Sequence, residues 1–189
     1  MTMDRIIGVF TFRKEVYSEV EHDTSFTTTA WLIVIIVAFL NQLGSFAKVD
    51  ILGWLVGAVV GTIFTVIGFA VAAAIISWVG KAVFHAEVSF DEMVRTLGLA
   101  YIWNIVGLLG ILGLVSALNC IVGPVIFIAS ILGLVAWFIA AKEALDLEWL
   151  QTIITVFLGW IALVIITALG ALILGILGFG AAAIGGIFQ

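Results

Sequence analysis

Charge is scarce in this chain of 189 residues: only 10% are Asp, Glu, Lys or Arg, against roughly a quarter in soluble domains. Cysteine occurs once, at Cys120, which excludes an internal disulfide and a cysteine metal cluster. There are two histidines, His22 and His85, and neither lies in an apolar run, so Ser77, Ser116 and Ser130 have no neighbouring base to activate them. No phosphate-binding Gly-rich loop with its lysine, no zincin motif and no intramembrane carboxylate pair is present. The chain therefore reads as a protein without catalysis and without a cofactor. His85 with Glu87 and Asp91 are metal-ligand types, but one histidine among scattered acids is the ordinary content of a solvated loop, and no metal is expected. A net charge of -5 argues against nucleic acid, which wants a basic patch.

What fills the chain instead is apolar: 65% hydrophobic residues and a mean hydropathy of +1.37. No charged side chain appears in residues 51–80, 96–141 or 149–189. Such runs belong in lipid, because an ionised group at mid-bilayer costs at least ~2.5–3.5 kcal/mol. The fold class is all-α, a polytopic integral membrane protein of five transmembrane helices preceded by an amphipathic interfacial helix. Two segments are expected: a cytoplasmic N-terminal one over 1–26, and a five-span membrane domain over 27–189. A cleavable signal peptide is not expected, since the first apolar run follows a long segment of mixed charge.

The spans are placed at 27–47, 51–79, 97–118, 121–141 and 153–178. Lys48-Val49-Asp50 is the whole first loop, with Asp50 able to cap the second span. That span, at about 1.5 Å per residue, exceeds a ~30 Å hydrocarbon core and must tilt or project into water at its Trp78–Lys81 end. Between the second and third spans, Ser89-x-x-Glu92 is a capping-box pattern, so a helix begins at Phe90. Asp91 and Arg95 then stand four apart in the favourable order on that helix. Asn119–Pro124 is the natural break between the third and fourth spans, because proline disfavours helix at the preceding residue. Phe179–Gln189 is too short for a sixth span and reads as a re-entrant or interfacial tail.

Residues 4–23 carry Ile6, Val9, Phe10, Val16, Tyr17 and Val20 on one broad helical arc. A helix lying flat on the membrane and a helix packed on the protein's own bundle fit that arc equally. Orientation follows from the basic residues: Arg5, Arg13, Lys14, Lys81, Arg95 and Lys142 fall on one side and Lys48 on the other. That asymmetry places the N-terminus in the cytoplasm and the C-terminus outside. Many loop charges also suit the helix ends beside them: lysines follow C-termini, while Asp91, Glu92 and Glu148 open helices.

Within the spans, Asn41, Gln42 and Asn104 are the strongly polar groups, and in lipid they must face protein or water. Interhelical hydrogen bonding accounts for them more simply than a solute path. Gly53, Gly57 and Gly61 share a face of the second span, and Gly107, Gly110 and Gly113 offer a similar groove in the third. Close packing inside one bundle explains these faces, with a homo-oligomer as the sharper alternative. Gly170, Gly175, Gly178 and Gly180 spread around the fifth span and suggest compliance rather than one contact.

Phe84-x-x-Glu87-x-Ser89-Phe90-x-Glu92-Met93-x-Arg95-x-Leu97-Gly98-x-Ala100 resembles the central motif of the Yip membrane domain family, named for interaction with Ypt/Rab GTPases. Arg5–Phe12 and Trp137-x-x-Ala140-x-Lys142-Glu143-Ala144 agree with it, and the short N-terminal segment is similar to that of the compact prokaryotic relatives. The resemblance implies a membrane-organising or partner-recruiting protein. Its interaction loops would carry Glu87, Asp91, Glu92, Arg95, Lys142 and Glu143, working with membrane lipids and a cytoplasmic or membrane protein partner. The competing reading is a small channel or facilitator for a solute or lipid, using the amides within the spans.

Overall fold

The structure, a computed structural model, describes residues 3–45, 47 and 51–176. The Lys48–Asp50 loop, the Asp50 cap, Gly178, Gly180 and the Phe179–Gln189 tail lie outside the described residues. Helices form nearly all of what is described, with no strand among those residues. Five stretches are long and apolar enough to cross a membrane: Phe26–Ser45, Ile51–Phe84, Phe90–Leu114, Ser116–Leu145 and Trp149–Leu174.

The N-terminal segment is two short helices, α1 (Met3–Phe10) and α2 (Glu15–His22), rather than one flat helix. The chain reverses at Phe12, a non-glycine residue in the left-handed region with φ 56°. That conformation costs ~1–2 kcal/mol. Stacking of the Phe12 ring on Trp103, with centroids 5.5 Å apart, offsets part of it, being worth about 0.5–1.5 kcal/mol. Gly8 lets the two helices touch, since a Cβ there would lie 2.3 Å from Val16 Cγ1. Val9, Val16, Tyr17 and Val20 are buried, so the apolar arc packs on the bundle.

Next come α3 (Phe26–Ser45) and α4 (Ile51–Phe84). At 34 residues α4 is about 51 Å long, well beyond a ~30 Å hydrocarbon core. The capping box then opens α5 (Phe90–Ala100): the Glu92 N–H donates to Ser89 Oγ at 3.1 Å, and the Ser89 N–H donates back to the Glu92 carboxylate.

From Tyr101 to Leu114 the chain runs as a 3₁₀ helix of 14 residues, where an α-helix was expected. Such runs seldom exceed a turn or so, and packing explains this one. With about 3.0 residues per turn, residues three apart line up, so Tyr101, Asn104, Gly107, Gly110 and Gly113 form one straight stripe. In an α-helix the same stripe would drift by about 60° at each step. Against the stripe lies α3: a Cβ on Gly110 would sit 2.7 Å from the Gly44 carbonyl oxygen, and one on Gly44 only 2.0 Å from that of Gly107. Ala30 faces Gly98 and Gly44 faces Gly110, so α3 and the rod run parallel.

The rod ends at Val115 (φ -93°, ψ 105°), and after a short turn α6 (Asn119–Leu145) begins. The break expected at Asn119–Pro124 therefore falls earlier, and Pro124 lies inside α6. At the sixth residue of α6 it contributes no N–H to the helix ladder. Asp146, left-handed at φ 50°, ends α6, and Glu148 with Gln151 forms the capping box of α7 (Trp149–Leu174).

α7 packs along α4 and only lightly on α6. Glycines close that seam: Cβ atoms on Gly159 and Gly170 would lie 2.5 Å from Ile76 Cγ1 and from Phe64 Cγ. Gly170 thus makes a specific contact, contrary to the compliance expected of it. In the middle of the bundle Phe69 is fully buried, with its ring edge-on to Trp31, Tyr101 and Trp137.

Candidate functional site

Arg95, in the central motif, ties α5 to the end of α2 and the start of α3. Only 4% exposed, Arg95 projects from α5 towards the last turn of α2. Its Nε donates to the carbonyl oxygens of Val20 and Glu21, both at 3.0 Å, its Nη1 to Thr27 Oγ1 at 3.1 Å, and its Nη2 again to Glu21. A helix leaves its final carbonyls unpaired and negative, and a guanidinium satisfies both deficits at once. The expected Asp91–Arg95 pair does not form. Asp91 stays exposed while Arg95 spends its donors on α2, so Arg95 is a buried clamp and not part of an accessible interaction surface.

The ion pairs among the described residues tie the hairpin itself: Arg5 to Glu19 (2.6 Å) and Asp23 (3.1 Å), and Arg13 to Asp4 (2.9 Å). Arg5 also lies over the Phe26 ring. Further down, the Trp103 indole N–H donates to the Val9 carbonyl at 3.3 Å, and Phe10 meets the same ring edge-on. Trp103 was not singled out from sequence. A tryptophan well inside an apolar run was the available signal that something polar had to reach it.

Of the remaining loop residues, Glu87 is exposed, and Glu92 is engaged in its cap. Lys142 Nζ donates to the Leu147 carbonyl at 2.9 Å and lies over the Trp149 ring, so it too is occupied internally. Glu21 of α2 lies within electrostatic reach of Glu92 of α5 and of Glu143 and Asp146 at the end of α6, two helices that α2 packs against. Burial pushes the Glu21 carboxyl above its ordinary range; His22 opposes this, and the three neighbouring carboxylates add to it. The adjacent His22 is raised as well, chiefly because its Nδ1 donates to the Ser18 carbonyl (2.9 Å). Glu21 of the N-terminal segment and Asp146 of the turn after α6 thus share a surface with Glu92 and Glu143. No group of three His, Cys, Asp or Glu side chains suited to a metal gathers among the described residues.

The polar groups of the spans are tied between helices or back to their own. Asn41 Nδ2 donates to the Asn104 backbone oxygen at 2.8 Å, and Gln42 Nε2 to Thr65 Oγ1 at 2.9 Å. The Asn104 amide nitrogen bonds back to Tyr101. Gly61 serves the same contact, since its Cβ would fall 2.8 Å from the Gln42 amide carbon. Gly53, Gly57 and Gly113 are buried, and Gly107 packs on Asn41.

No curated protein and no solved structure matches this chain. A family model does: the Yip1 domain, over residues 7–172. That match begins in α1, contains the Arg95 clamp and the 3₁₀ rod, and ends within the last turns of α7. The chain belongs to the Yip1-domain family of multi-pass membrane proteins.

Proposed function

We propose that this protein is a non-catalytic membrane-organising protein that recruits a partner through the end of the bundle where α2, α5 and α6 meet, and that this end is cytoplasmic. One observation carries the reading. Carboxylates from three elements, Glu21, Glu92, Glu143 and Asp146, gather there, while Arg95, Arg5 and Lys142 are consumed by internal contacts. The surface left over is acidic. An anionic cytoplasmic leaflet repels such a surface, so the reading favours a basic segment of a protein partner over a lipid headgroup.

Geometry supports placing this end in water. The exposed turn Arg13-Lys14-Glu15 adjoins Phe12, which stacks on Trp103. Trp103 stands about 22 Å from the Leu114 end of the rod at ~2.0 Å per residue. With the far face of the membrane near Leu114 and Ile51, the near edge of a ~30 Å core falls about at Gly98, so Arg95, the α2 end it clamps and the upper third of α4 stand clear of the hydrocarbon. A transport path is not favoured, because the donors of Asn41 and Gln42 are committed between helices.

The test is capture of partners from native membranes by the reconstituted full chain. Asp91→Lys with Glu143→Lys is expected to lower capture at least several-fold while the thermal unfolding profile is kept. Undiminished capture by the double variant would remove the acidic end from the working surface. A solute flux that Asn104→Leu abolishes would favour the facilitator instead.

A further inference from the structure

A crevice of about 240 Å³ opens between the 3₁₀ rod, α6 and α7, bounded by Tyr101, Asn104, Ser130, Trp137 and Trp160. Tyr101 is only 6% exposed as a residue and lines the crevice, and its hydroxyl makes no hydrogen bond among the described residues. The same holds for the indole N–H of Trp137, and the Asn104 amide, half-buried, donates to the Tyr101 carbonyl with its own oxygen left unpaired. Ser130 donates to the Ile126 carbonyl and keeps its lone pairs. Donors and acceptors thus converge on a space inside an apolar bundle, where a polar group without a partner is costly.

The chemistry of the walls selects the occupant. No acid, lysine, arginine or histidine lines the crevice, so a phosphate, carboxylate or ammonium would enter as an unpaired charge. A mixture of phenol, amide, indole and hydroxyl instead suits a group that both donates and accepts, which is a hydroxyl. The volume is ample for a glycerol-sized head.

Position and access agree with a lipid. Tyr101 lies about 26 Å from the Leu114 end of the rod, and Phe69 and Trp137, packed on it, lie about 27 Å from the starts of α4 and α6. All three levels fall near the edge of a ~30 Å hydrocarbon core, where an amphiphile keeps its head. Because α7 packs only lightly on α6, the crevice opens sideways between them, past Ser130 and Trp160, both exposed. Chains can then stay in the bilayer along the apolar faces of α6 and α7, which carry Phe127, Ile131, Val164 and Ile165 outward.

We propose that the crevice formed by Tyr101, Asn104, Ser130, Trp137 and Trp160 binds the uncharged, hydroxyl-bearing head of a membrane amphiphile, of the class of a diacylglycerol, entering between α6 and α7. The site is separate from the acidic end, and its fate does not depend on the recruiting role.

The test uses the full chain in phosphatidylcholine nanodiscs with a photoactivatable diacylglycerol. Labelling is expected to map to α6 or α7, to fall at least five-fold in Tyr101→Phe/Asn104→Leu, and to fall likewise in Ser130→Phe, which fills the crevice from an exposed position. Thermal unfolding of each variant shows whether it is folded, and Tyr101→Phe alone, which deletes one oxygen, serves if the double variant is not. Excess dioleoylglycerol should compete. Competition by oleyl alcohol too would assign recognition to a lone hydroxyl, and its failure would assign it to the glycerol; either outcome supports the site. Equal labelling of wild type and all folded variants, or equal competition by added phosphatidylcholine, overturns the proposal. Loss confined to Ser130→Phe overturns it as well, because chain contacts alone would then explain the labelling.

Discussion

The side-chain amide of Asn41 occupies the space that a Cβ on residue 107 would need: the gap from Asn41 Nδ2 to that position is 2.0 Å. The same nitrogen donates to the Asn104 carbonyl one turn earlier on the rod. Glycine at 107 and asparagine at 41 therefore form one unit, in which a missing side chain admits an amide to a backbone oxygen. The unit sits on the straight stripe that only a period of three produces, which ties the 3₁₀ geometry to the packing of α3.

Gly107→Leu is accordingly expected to expel Asn41 and separate α3 from the rod. Loss of the buried bond and the close packing should destabilise the protein by several kcal/mol, combining an unsatisfied polar group with overpacking. Gly123→Leu, at a position with open space around it, should cost much less, its one constraint being the Pro124 ring that follows. Thermal unfolding of both variants in the same detergent decides the matter, and equal behaviour would remove Gly107 from the packing core.

Arg95→Leu should release α2. Hydrogen bonds to a charged group are each worth about 1.5–3 kcal/mol, and Arg95 makes several, to the Val20 carbonyl that the Asp23 N–H also reaches, to the Glu21 carbonyl and to the Thr27 hydroxyl. Faster proteolysis within residues 10–24, with the spans still folded, is the expected readout. Arg95→Lys should recover only part of the protection, because an ammonium cannot reproduce the fork that reaches two α2 carbonyls and Thr27 together. Unchanged cleavage in Arg95→Leu would show that the clamp does not hold the hairpin.

The number of spans and their rough limits were legible because hydropathy is a bulk property, summed over about twenty residues at a time. The Ser89–Glu92 cap was legible because its partners are local. What escaped notice depended on contacts far apart in sequence. Phe12 adopts a left-handed turn that a distant Trp103 supports, and Arg95 prefers the α2 carbonyls to Asp91 four residues away. Glycines at 107, 110 and 113 were visible, but their spacing of three was read on an α-helical wheel, where it marks a drifting face and not a stripe. Pro124 misled for a related reason: a proline near a helix start looks, in sequence alone, like one just outside it.

Tyr17 gives a test of the opposite sign. Its side chain is fully buried and its hydroxyl has no hydrogen-bond partner among the described residues, and burial holds that hydroxyl far above its usual range. Tyr17→Phe removes the unsatisfied group and keeps the ring. Stability should stay level or rise, by up to ~1–3 kcal/mol if the whole desolvation cost is recovered. A loss of more than a degree or two in the unfolding temperature would mean that the hydroxyl is satisfied in the folded protein.

Attachment of the hairpin should depend on pH in a predictable direction. Asp23 is held below its ordinary 3.8, first by the Ser25 hydroxyl and then by Arg5, so its contribution is present above that pH and is lost as the carboxylate protonates at lower pH. His22 is raised above 6.5, first by the Ser18 carbonyl and then by Glu21, so its contribution is full below 6.5 and is lost as pH climbs through the raised value. Glu21 is raised as well, which favours the lower side of that window. Hydrogen exchange of α2 should therefore be slowest between about pH 4 and 6.5 after correction for intrinsic rates. His22→Asn should flatten the alkaline limb alone, and an unchanged limb would exclude His22 as its source.

Orientation is tested at Cys120, which lies exposed in the first turn of α6, far from the Arg95 clamp. Six basic residues belong to segments on the hairpin side of the spans, namely Arg5, Arg13, Lys14, Lys81, Arg95 and Lys142, and in the sequence only Lys48 falls between the first two spans. Basic residues are retained on the cytoplasmic side, so Cys120 should face outward. Four of the six, Arg5, Arg13, Arg95 and Lys142, are engaged in internal contacts, but the rule acts on the chain as it inserts, before those contacts form. A membrane-impermeant maleimide should label Cys120 in intact cells, and Cys120→Ser should abolish the signal. Labelling confined to inside-out vesicles would reverse the topology and put the acidic end of α2, α5 and α6 outside, where no cytoplasmic partner could reach it.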